Sequence, residues 1–442
     1  MSLSTDGPAG LPREFRARPG FLFGASTSAH QTEGNNVSSD WWALERRLVG
    51  GVMESPSGDA VDSFHRWPQD MDLLAELGFN AYRFGIEWAR VEPEPGAVSR
   101  AAIAHYRAMV RGAHERGLNP VVTLHHFTSP HWFTARGGWT APDAADLFAR
   151  YAETALDVLG DDVEYVATIN EPNMIALMAT LVRHLAPSGE DPANALGADA
   201  DTRDASEYSA SGTGREGAAA LAAVAEPDTA TSEALVRAHR AASAVLKAAR
   251  PDLRVGWTIA NQVFQAEPGA EAEAAAHAWP REDLFLEAAR DDDWVGVQSY
   301  SRTRIGRDGP LPVPAEAKRT ITGWEYYPEA VGHAVRHTAA VVGPDVPILV
   351  TENGIATADD EERIAYTSAA LTALAETMRD GIDVRGYLHW SAVDNYEWGS
   401  YTPTFGLIAV DRDTFVRTPK PSARWLGGLA LALRAVVPSA AQ

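Results

Sequence analysis

The chain repeats one pattern eight times: a short apolar stretch of strand type followed, in most cases, by an amphipathic stretch of helical type. Strands are predicted at 21–27, 79–88, 119–127, 165–169, 253–259, 293–300, 347–352 and 384–390, and helices at 62–78, 101–117, 143–160, 232–250, 281–290, 328–342, 361–380 and 425–436. Strand–helix alternation implies parallel strands joined by right-handed crossovers. Eight such units predict an α/β fold, a single closed (β/α)8 TIM barrel with elaborated βα loops.

An open, doubly wound parallel sheet is the alternative architecture. It would normally place a glycine-rich phosphate-binding turn directly after the first strand. The residues there are Gly24-Ala25-Ser26-Thr27, which do not form such a turn. The closed barrel is therefore the favoured fold, with residues 1–442 as one domain.

Two stretches interrupt the pattern. Residues 39–59 lack clear periodicity and are predicted to be irregular. Residues 186–231 are rich in Ala, Asp, Glu, Gly and Ser, and we interpret them as a mobile, partly disordered acidic insertion after the fourth strand. A lid over a binding site is the alternative, but the segment has few bulky apolar residues with which to close.

Composition excludes several classes of function. The net charge of −22 argues against nucleic-acid and acidic-membrane partners, which require an excess of Lys and Arg. The absence of cysteine excludes disulfides, thiolate metal sites and a cysteine nucleophile. No signal-peptide pattern and no apolar run of about 18 residues is present, so a cytoplasmic protein is predicted, with export by another route left open. The sequence does not indicate an oligomeric state.

Two of the predicted strands end in the same way. The fourth runs into Asn170-Glu171-Pro172, and the seventh ends at Glu352-Asn353-Gly354. Proline cannot extend a central strand, so Glu171 lies just beyond a strand end. Because the active site of a TIM barrel lies at the carboxyl ends of its strands, we expect Glu171 and Glu352 to meet in one site, although either could be a surface charge.

Other polar and aromatic residues follow the same strand ends. They are Gln31, Arg83, His126, Asn170, Tyr300, Trp390, Glu397 and Trp398. Amides, a histidine and indoles suit a polyhydroxylated ligand, and two carboxylates without a metal-binding array suit glycoside hydrolysis. No metal and no cofactor is predicted. Taken singly, an arginine could be a structural ion pair, a histidine a core residue and a tryptophan plain packing. We interpret His30, Glu87, His125 and Asp394 as structural.

Several ordered motifs lie at these strand ends and in the loops between them. They are Phe21-Leu22-Phe23-Gly24-Ala25 with Gln31 and Glu33-Gly34, Tyr82-Arg83-Phe84, Thr123-Leu124-His125-His126, Gly137-Gly138-Trp139, Thr168 to Pro172, Thr351-Glu352-Asn353-Gly354, Asn395-Tyr396-Glu397-Trp398 and Phe405-Gly406-Leu407. In these motifs the chain resembles glycoside hydrolase family 1, the β-glucosidase-like retaining glycosidases, and the resemblance runs from about Phe21 to Trp425.

The resemblance implies roles for the strand-end residues. Glu171 corresponds to the family's acid/base and Glu352 to its nucleophile, which Arg83 and Tyr300 would hold and tune. The set that binds the glycone would be Gln31, His126, Asn170, Trp390, Glu397 and Trp398. The chain departs from the family where Gln298-Ser299-Tyr300 replaces Asn-Tyr-Tyr, so contacts to the nucleophile are expected to differ.

The predicted function is that of a retaining exo-β-glycosidase of the β-glucosidase type. It would hydrolyse terminal non-reducing β-D-glycosyl residues of a small glycoside or oligosaccharide by double displacement. Galactose or fucose as the glycone remains open. A transglycosidase on the same scaffold is the first alternative, and a non-catalytic sugar-binding barrel is the second.

Overall fold

A computed structural model describes residue 15 and residues 17–51, 53–185 and 225–436. Eight parallel strands close into a barrel in sequential order, which confirms the predicted fold class. We number them β1 to β8: Leu22–Ser26, Ala81–Gly85, Asn119–His125, Tyr165–Asn170, Arg254–Ala260, Trp294–Gln298, Ile348–Glu352 and Val384–Trp390. β1 pairs with β8 in parallel from Leu22↔Gly386 to Ser26↔Trp390, which closes the barrel.

Each strand is followed by a helix that leads back to the start of the next strand or closes the chain. These helices are Ser63–Leu77, Arg100–Glu115, Ala144–Leu159, Thr229–Ala249, Leu284–Ala288, Ala330–Val342, Asp360–Arg379 and Pro421–Val436. The predicted helix at 281–290 covers only the last part of a longer helical stretch. That stretch consists of the α-helix Glu271–Ala278, the π-helix Trp279–Asp283 and the α-helix Leu284–Ala288. The remaining short helices lie in loops, at Ala29–Thr32, Trp88–Val91, His131–Ala135 and Gly138–Thr140.

The prediction that residues 39–59 are irregular is wrong for their first part. Asp40–Leu48 is a helix whose amino terminus is capped by Ser39, the side chain of which accepts a hydrogen bond from the backbone N–H of Trp42. Leu44 and Leu48 are buried on one face with Met53. Helical spacing of these apolar residues and the Ser39 cap were the available sequence signals.

The predicted insertion at 186–231 is only partly open to description. Residues 186–224 lie outside the described part of the chain. The prediction is wrong for its last residues, because a helix begins at Thr229 with Asp228 as its cap. On the other side, Pro172–Leu185 is a helix that starts immediately after Glu171. Proline suits this first helical position because its missing N–H would have no partner there.

Two cores stabilise the barrel. Inside it, a small cluster of side chains from alternate strand positions fills the lower part: Leu22, Ala81, Val121, Tyr165, Ala167, Trp294, Leu349 and Leu388. Outside it, the opposite strand faces pack against the helices in a much larger cluster. This inward–outward alternation is what strands buried on both faces require. No helix in the described ranges is long and apolar enough to cross a membrane.

The alternation is broken at the carboxyl ends of β4 and β7. Ala167 of β4 pairs with Gly256 of β5, and Asn170 pairs with Thr258, so β4 has one residue more than β5 between these two pairs. On β7, Val350 pairs with Val297 and Glu352 pairs with the next residue, Gln298. An extra residue of this kind reverses which face the following side chain occupies. Both irregularities therefore turn a polar side chain into the barrel mouth, Asn170 on β4 and Glu352 on β7.

Candidate active site

A cavity of about 940 Å³ opens at the carboxyl ends of the strands. Eight of the ten residues predicted from sequence line it: Gln31, His126, Glu171, Tyr300, Glu352, Trp390, Glu397 and Trp398. The other two, Arg83 and Asn170, are fully buried directly beneath it and contact the lining residues. The structure thus brings the whole predicted set together.

Glu352 is held by three donors. Arg83 Nη1 and Gln298 Nε2 each lie 2.7 Å from its Oε1, and the Tyr300 hydroxyl lies 2.7 Å from its Oε2. Burial raises the pKa of Glu352 above its ordinary value, and the Arg83 charge and the hydrogen bonds from Tyr300 and Arg83 oppose this rise. Burial and the Glu352 charge raise the pKa of the Tyr300 hydroxyl well above its usual range, so the phenol keeps the proton that it donates.

The side-chain amide oxygen of Asn170 accepts hydrogen bonds from three donors. Arg83 Nη2 lies 2.5 Å from Oδ1, Gln298 Nε2 lies 2.8 Å away, and Thr258 Oγ1 lies 2.9 Å away. Its amide nitrogen lies 3.3 Å from His126 Nε2. Because the oxygen is saturated, the orientation of the amide is set and its N–H groups face the His126 side of the cavity.

Arg83 links the two strand ends. Its guanidinium donates to Glu352, to Asn170 and, through Nε, to Thr123 Oγ1 at 3.0 Å. The side chain is completely buried. A planar fork of donors can hold a carboxylate and an amide oxygen at once, which a lysine could not do.

Glu171 stands in different surroundings. Its backbone has φ of 46°, in the left-handed region that residues other than glycine rarely adopt. This conformation lets the chain turn from β4 straight into the helix that begins at Pro172 while the carboxyl group reaches the cavity. The protein around the half-buried side chain removes much of its hydration, and this together with the Glu352 charge raises the pKa of Glu171 well above its usual range.

The two carboxyl groups are therefore chemically unlike. Arg83, Gln298 and Tyr300 donate to Glu352, and these contacts favour its ionised form. For Glu171, Arg83 is the opposing influence on a pKa that burial and Glu352 raise. One carboxylate and one neutral carboxylic acid facing the same cavity can carry out nucleophilic attack and proton donation, respectively.

A polar pocket forms the buried end of the cavity. Gln31 Nε2 lies 3.1 Å from Asn395 Oδ1 and 3.2 Å from Glu397 Oε2, while Trp390 Nε1 lies 3.3 Å from Glu397 Oε1. Burial raises the pKa of Glu397 to about 8. These groups offer donors and acceptors side by side, as vicinal hydroxyls require.

Four aromatic rings are stacked beside this pocket. His30 lies 5.7 Å from Trp398, Trp398 lies 6.1 Å from His126, and His126 lies 5.8 Å from Trp390, with interplanar angles of 5°, 13° and 18°. Burial holds the pKa of His126 well below its usual range, so the imidazole is neutral. The stack supplies a rigid wall against which a sugar ring can pack.

Each residue interpreted as structural has a side-chain partner of its own. His125 Nε2 lies 3.0 Å from Ser129 Oγ, Thr128 donates to Glu87 at 2.7 Å, and Lys420 pairs with Asp394 at 2.8 Å. His30 faces Glu45 at 3.3 Å and stacks on Trp398.

Sequence reasoning missed several residues that hold the site. Thr123, Thr258 and Asn395 each bond to a predicted site residue. Gln298 stood out only as a departure from the resembled pattern, and it proves to bridge Glu352 and Asn170. The available signal for Thr123 and Thr258 was a polar residue near the end of an otherwise apolar strand.

Comparison with known proteins agrees with this geometry. The model of glycosyl hydrolase family 1 matches residues 13–432. A β-glucosidase from Agrobacterium sp. (strain ATCC 21400) is 33% identical over 95% of this chain and 96% of that protein. Among solved structures, β-glycosidase BGL167 superposes with a TM-score of 0.82 at 43% identity over 96% of this chain and 98% of that one. β-Glucosidase 1317 superposes with a TM-score of 0.81 at 41% identity, over 95% of this chain and 99% of that one. The chain belongs to glycosyl hydrolase family 1 and is an O-glycoside hydrolase.

Proposed function

We propose that this protein is a retaining exo-β-glycosidase, acting as a β-glucosidase, with Glu352 as the nucleophile and Glu171 as the acid/base. The observation that carries the proposal is the presence of two carboxyl groups with opposite surroundings in one cavity. Arg83 and Tyr300 hold Glu352 by charge and hydrogen bonding. Burial and the charge of Glu352 keep the proton on Glu171.

In the first step a carboxylate oxygen of Glu352 attacks the anomeric carbon, and the bond from that carbon to the glycosidic oxygen breaks. The proton of Glu171 passes to the departing oxygen, which leaves as a neutral alcohol. The product at this stage is a glycosyl ester of Glu352, as in other double-displacement glycosidases. Glu171 is then ionised.

In the second step the roles of Glu171 reverse. Esterification removes the negative charge of Glu352, which is one of the two influences that raise the pKa of Glu171. Glu171 therefore becomes a stronger acid and remains ionised, ready to take a proton from water. The water oxygen attacks the anomeric carbon, the ester bond to Glu352 breaks, and the sugar leaves with its original anomeric configuration.

We assign the terminal sugar to the buried end of the cavity. Gln31 and Glu397 would bond its outer hydroxyls, and the stack of Trp398, His126 and Trp390 would pack beside its ring. Asn170, whose oxygen is saturated, would donate its amide N–H to the 2-hydroxyl, an interaction that strengthens in the transition state. Because this end is buried, the enzyme would act on chain ends.

The test is hydrolysis of a panel of 4-nitrophenyl α- and β-glycosides, with the first-formed sugar anomer followed by NMR. We expect cleavage of the β-glucoside with release of the β-anomer. Release of the α-anomer first would contradict double displacement. Absence of cleavage of every β-glycoside would contradict the proposed activity.

A second candidate is transglycosylation, which the apolar outer half of the cavity favours. Met174, Leu177 and Trp324 line that half, and an alcohol seated on them could replace water in the second step. Adding an alcohol acceptor during turnover and measuring the ratio of new glycoside to free glucose tests it. Hydrolysis alone at every acceptor concentration would contradict it.

A further inference from the structure

The outer half of the cavity has apolar walls. Met174, Leu177 and Met178 come from the helix that follows Glu171, Phe264 from a short strand, and Trp324 from the loop after β6. The Trp324 ring lies 5.7 Å from that of Tyr300 and remains 43% exposed. A flat apolar body can therefore lie between these walls, next to the leaving-group side of Glu171.

Arginines are concentrated in the same half. Arg281, Arg302, Arg304 and Arg319 line it, whereas Glu325 is its one lining carboxylate among the described residues once the site carboxylates Glu171, Glu352 and Glu397 are set aside. The whole chain has 38 Lys and Arg against 60 Asp and Glu. This wall thus reverses the charge balance of the chain, so a positive potential here is a local feature of the cavity.

Two of the four guanidiniums are already neutralised. Arg302 donates to both oxygens of Glu325, at 2.6 and 3.0 Å, and Arg304 lies 3.1 Å from Glu267. The Arg302–Glu325 pair is bidentate and holds both partners in place, whereas the Arg304–Glu267 pair makes a single contact. They leave little charge for a ligand.

Arg281 and Arg319 are different, because their hydrogen bonds in the described ranges go to carbonyl groups. Arg281 donates to His277 O at 3.1 Å and to Ala225 O at 2.7 Å, and Arg319 donates to Val313 O at 2.8 Å and to Gly323 O at 3.3 Å. Neither contacts a carboxylate within ion-pair distance in those ranges, although the charge of Arg319 acts on Glu325, which Arg302 already binds. Carbonyl groups orient a guanidinium but do not cancel its charge.

Arg281 gives the stronger indication of an anion-binding site because it is only 5% exposed. Burial lowers its pKa, and the exposed Glu226, which acts from a distance, is the opposing influence. A buried cation without a paired anion is costly. An anion that binds next to Arg281 would offset part of this desolvation cost.

We propose that the aglycone of the natural substrate combines a flat apolar body with a carboxylate, and that Arg281 and Arg319 bind this carboxylate while the apolar walls bind the body. The inference rests on the proposed β-glucosidase activity and defines the leaving group that this activity releases. It concerns only the outer half of the cavity, so the glycone pocket and the two catalytic carboxyl groups are unaffected by it.

The experiment uses phenyl β-glucosides with a carboxylate on a short or a longer methylene arm, each matched by the corresponding amide. The methylene groups insulate the phenolic oxygen, so acid and amide differ in charge but hardly in leaving-group ability. We expect kcat/KM to be about tenfold higher for the acid than for the amide on at least one arm, a ratio expected of a partly buried ion pair. The preference should shrink with added salt.

Variants identify the groups responsible. Arg281→Gln and Arg319→Gln should each lower the acid-to-amide ratio, and the double variant should bring it close to one. Arg281→Lys and Arg319→Lys keep the positive charge, so each should retain more of the acid-to-amide ratio than the corresponding Gln variant. Arg336→Gln removes one cation that pairs with Asp380 outside the cavity, and it should leave the ratio unchanged.

Binding to the Glu171→Gln variant provides a readout without turnover. Calorimetry should give a lower Kd for the acid glucoside than for the amide. Cleavage of the amide with no preference for the acid on either arm would overturn this inference and leave the proposed function standing. Failure to cleave these glucosides together with the whole 4-nitrophenyl β-glycoside panel would overturn the proposed function, and the Kd ratio would still decide whether the arginines select an anion.

Discussion

Replacement of Arg83 by methionine should disable the site in a way that its contacts define. Arg83 is fully buried and donates to Glu352, Asn170 and Thr123. Methionine fills a similar volume but carries no charge and no donor. Removing one partner of a buried ion pair costs about 3–5 kcal/mol. If the transition state loses the same free energy, kcat/KM should fall by about 10² to 10⁴-fold.

The pH profile gives the more specific expectation. The Arg83 charge lowers the pKa of both Glu352 and Glu171. Without it, Glu352 requires a higher pH to ionise and Glu171 keeps its proton to a higher pH. The acidic and the basic limb of kcat/KM should therefore both move to higher pH. The assay is hydrolysis of 4-nitrophenyl β-glucoside across the pH range, with circular dichroism to verify folding.

Arg83→Lys is the matched control. It retains the cation but cannot reach Glu352 and Asn170 together, so kcat/KM should fall while both limbs stay close to those of the wild type. If Arg83→Met folds normally, keeps its activity within a few-fold and shows unmoved limbs, Arg83 does not control the two carboxyl groups and the electrostatic reasoning is refuted.

Three further predictions follow from other contacts. Glu352→Ala should abolish hydrolysis, and azide should restore turnover with an α-glycosyl azide as product by NMR; a β-azide would contradict the assignment. Gln298→Leu, which removes donors to Glu352 and Asn170, should lower kcat/KM about tenfold or more; unchanged kinetics would contradict this contact. Burial raises the pKa of Glu87 to about 8, above its unfolded value, so the stability that it contributes at low pH is lost as pH rises towards 8. The melting temperature of Glu87→Gln should therefore gain on the wild type between pH 5 and pH 8, and a constant difference would contradict the shift.

The barrel could be predicted from the sequence because eight strand–helix repeats leave few topologies. Each predicted strand overlaps an observed one, and the errors fall at ends and loops. The helix Asp40–Leu48 was missed because its short apolar face, Leu44 and Leu48, lies within a glycine- and serine-bearing region. Residues 186–224, which hold most of the predicted insertion, lie outside the described part of the chain.

The orientation of the site residues could not be predicted in the same way. Strict alternation would point Asn170 and Glu352 away from the barrel interior, because Ala167 and Leu349 face inward. The extra residues near the ends of β4 and β7 reverse this, and their positions depend on pairing with β5 and β6. The arginine-lined outer wall is likewise assembled from segments distant in sequence, such as Arg281 and Arg319.

The most direct measurement is to trap the intermediate of the double displacement. A 2-deoxy-2-fluoro-β-glucoside with a good leaving group slows both steps, the second more than the first, so a glycosyl ester should accumulate. Mass spectrometry of the intact protein and then of its peptides should show one sugar, attached to Glu352. Inactivation with the sugar on another residue would contradict the assignment of Glu352, and steady turnover with no adduct and α-anomer as the first product would contradict retention itself.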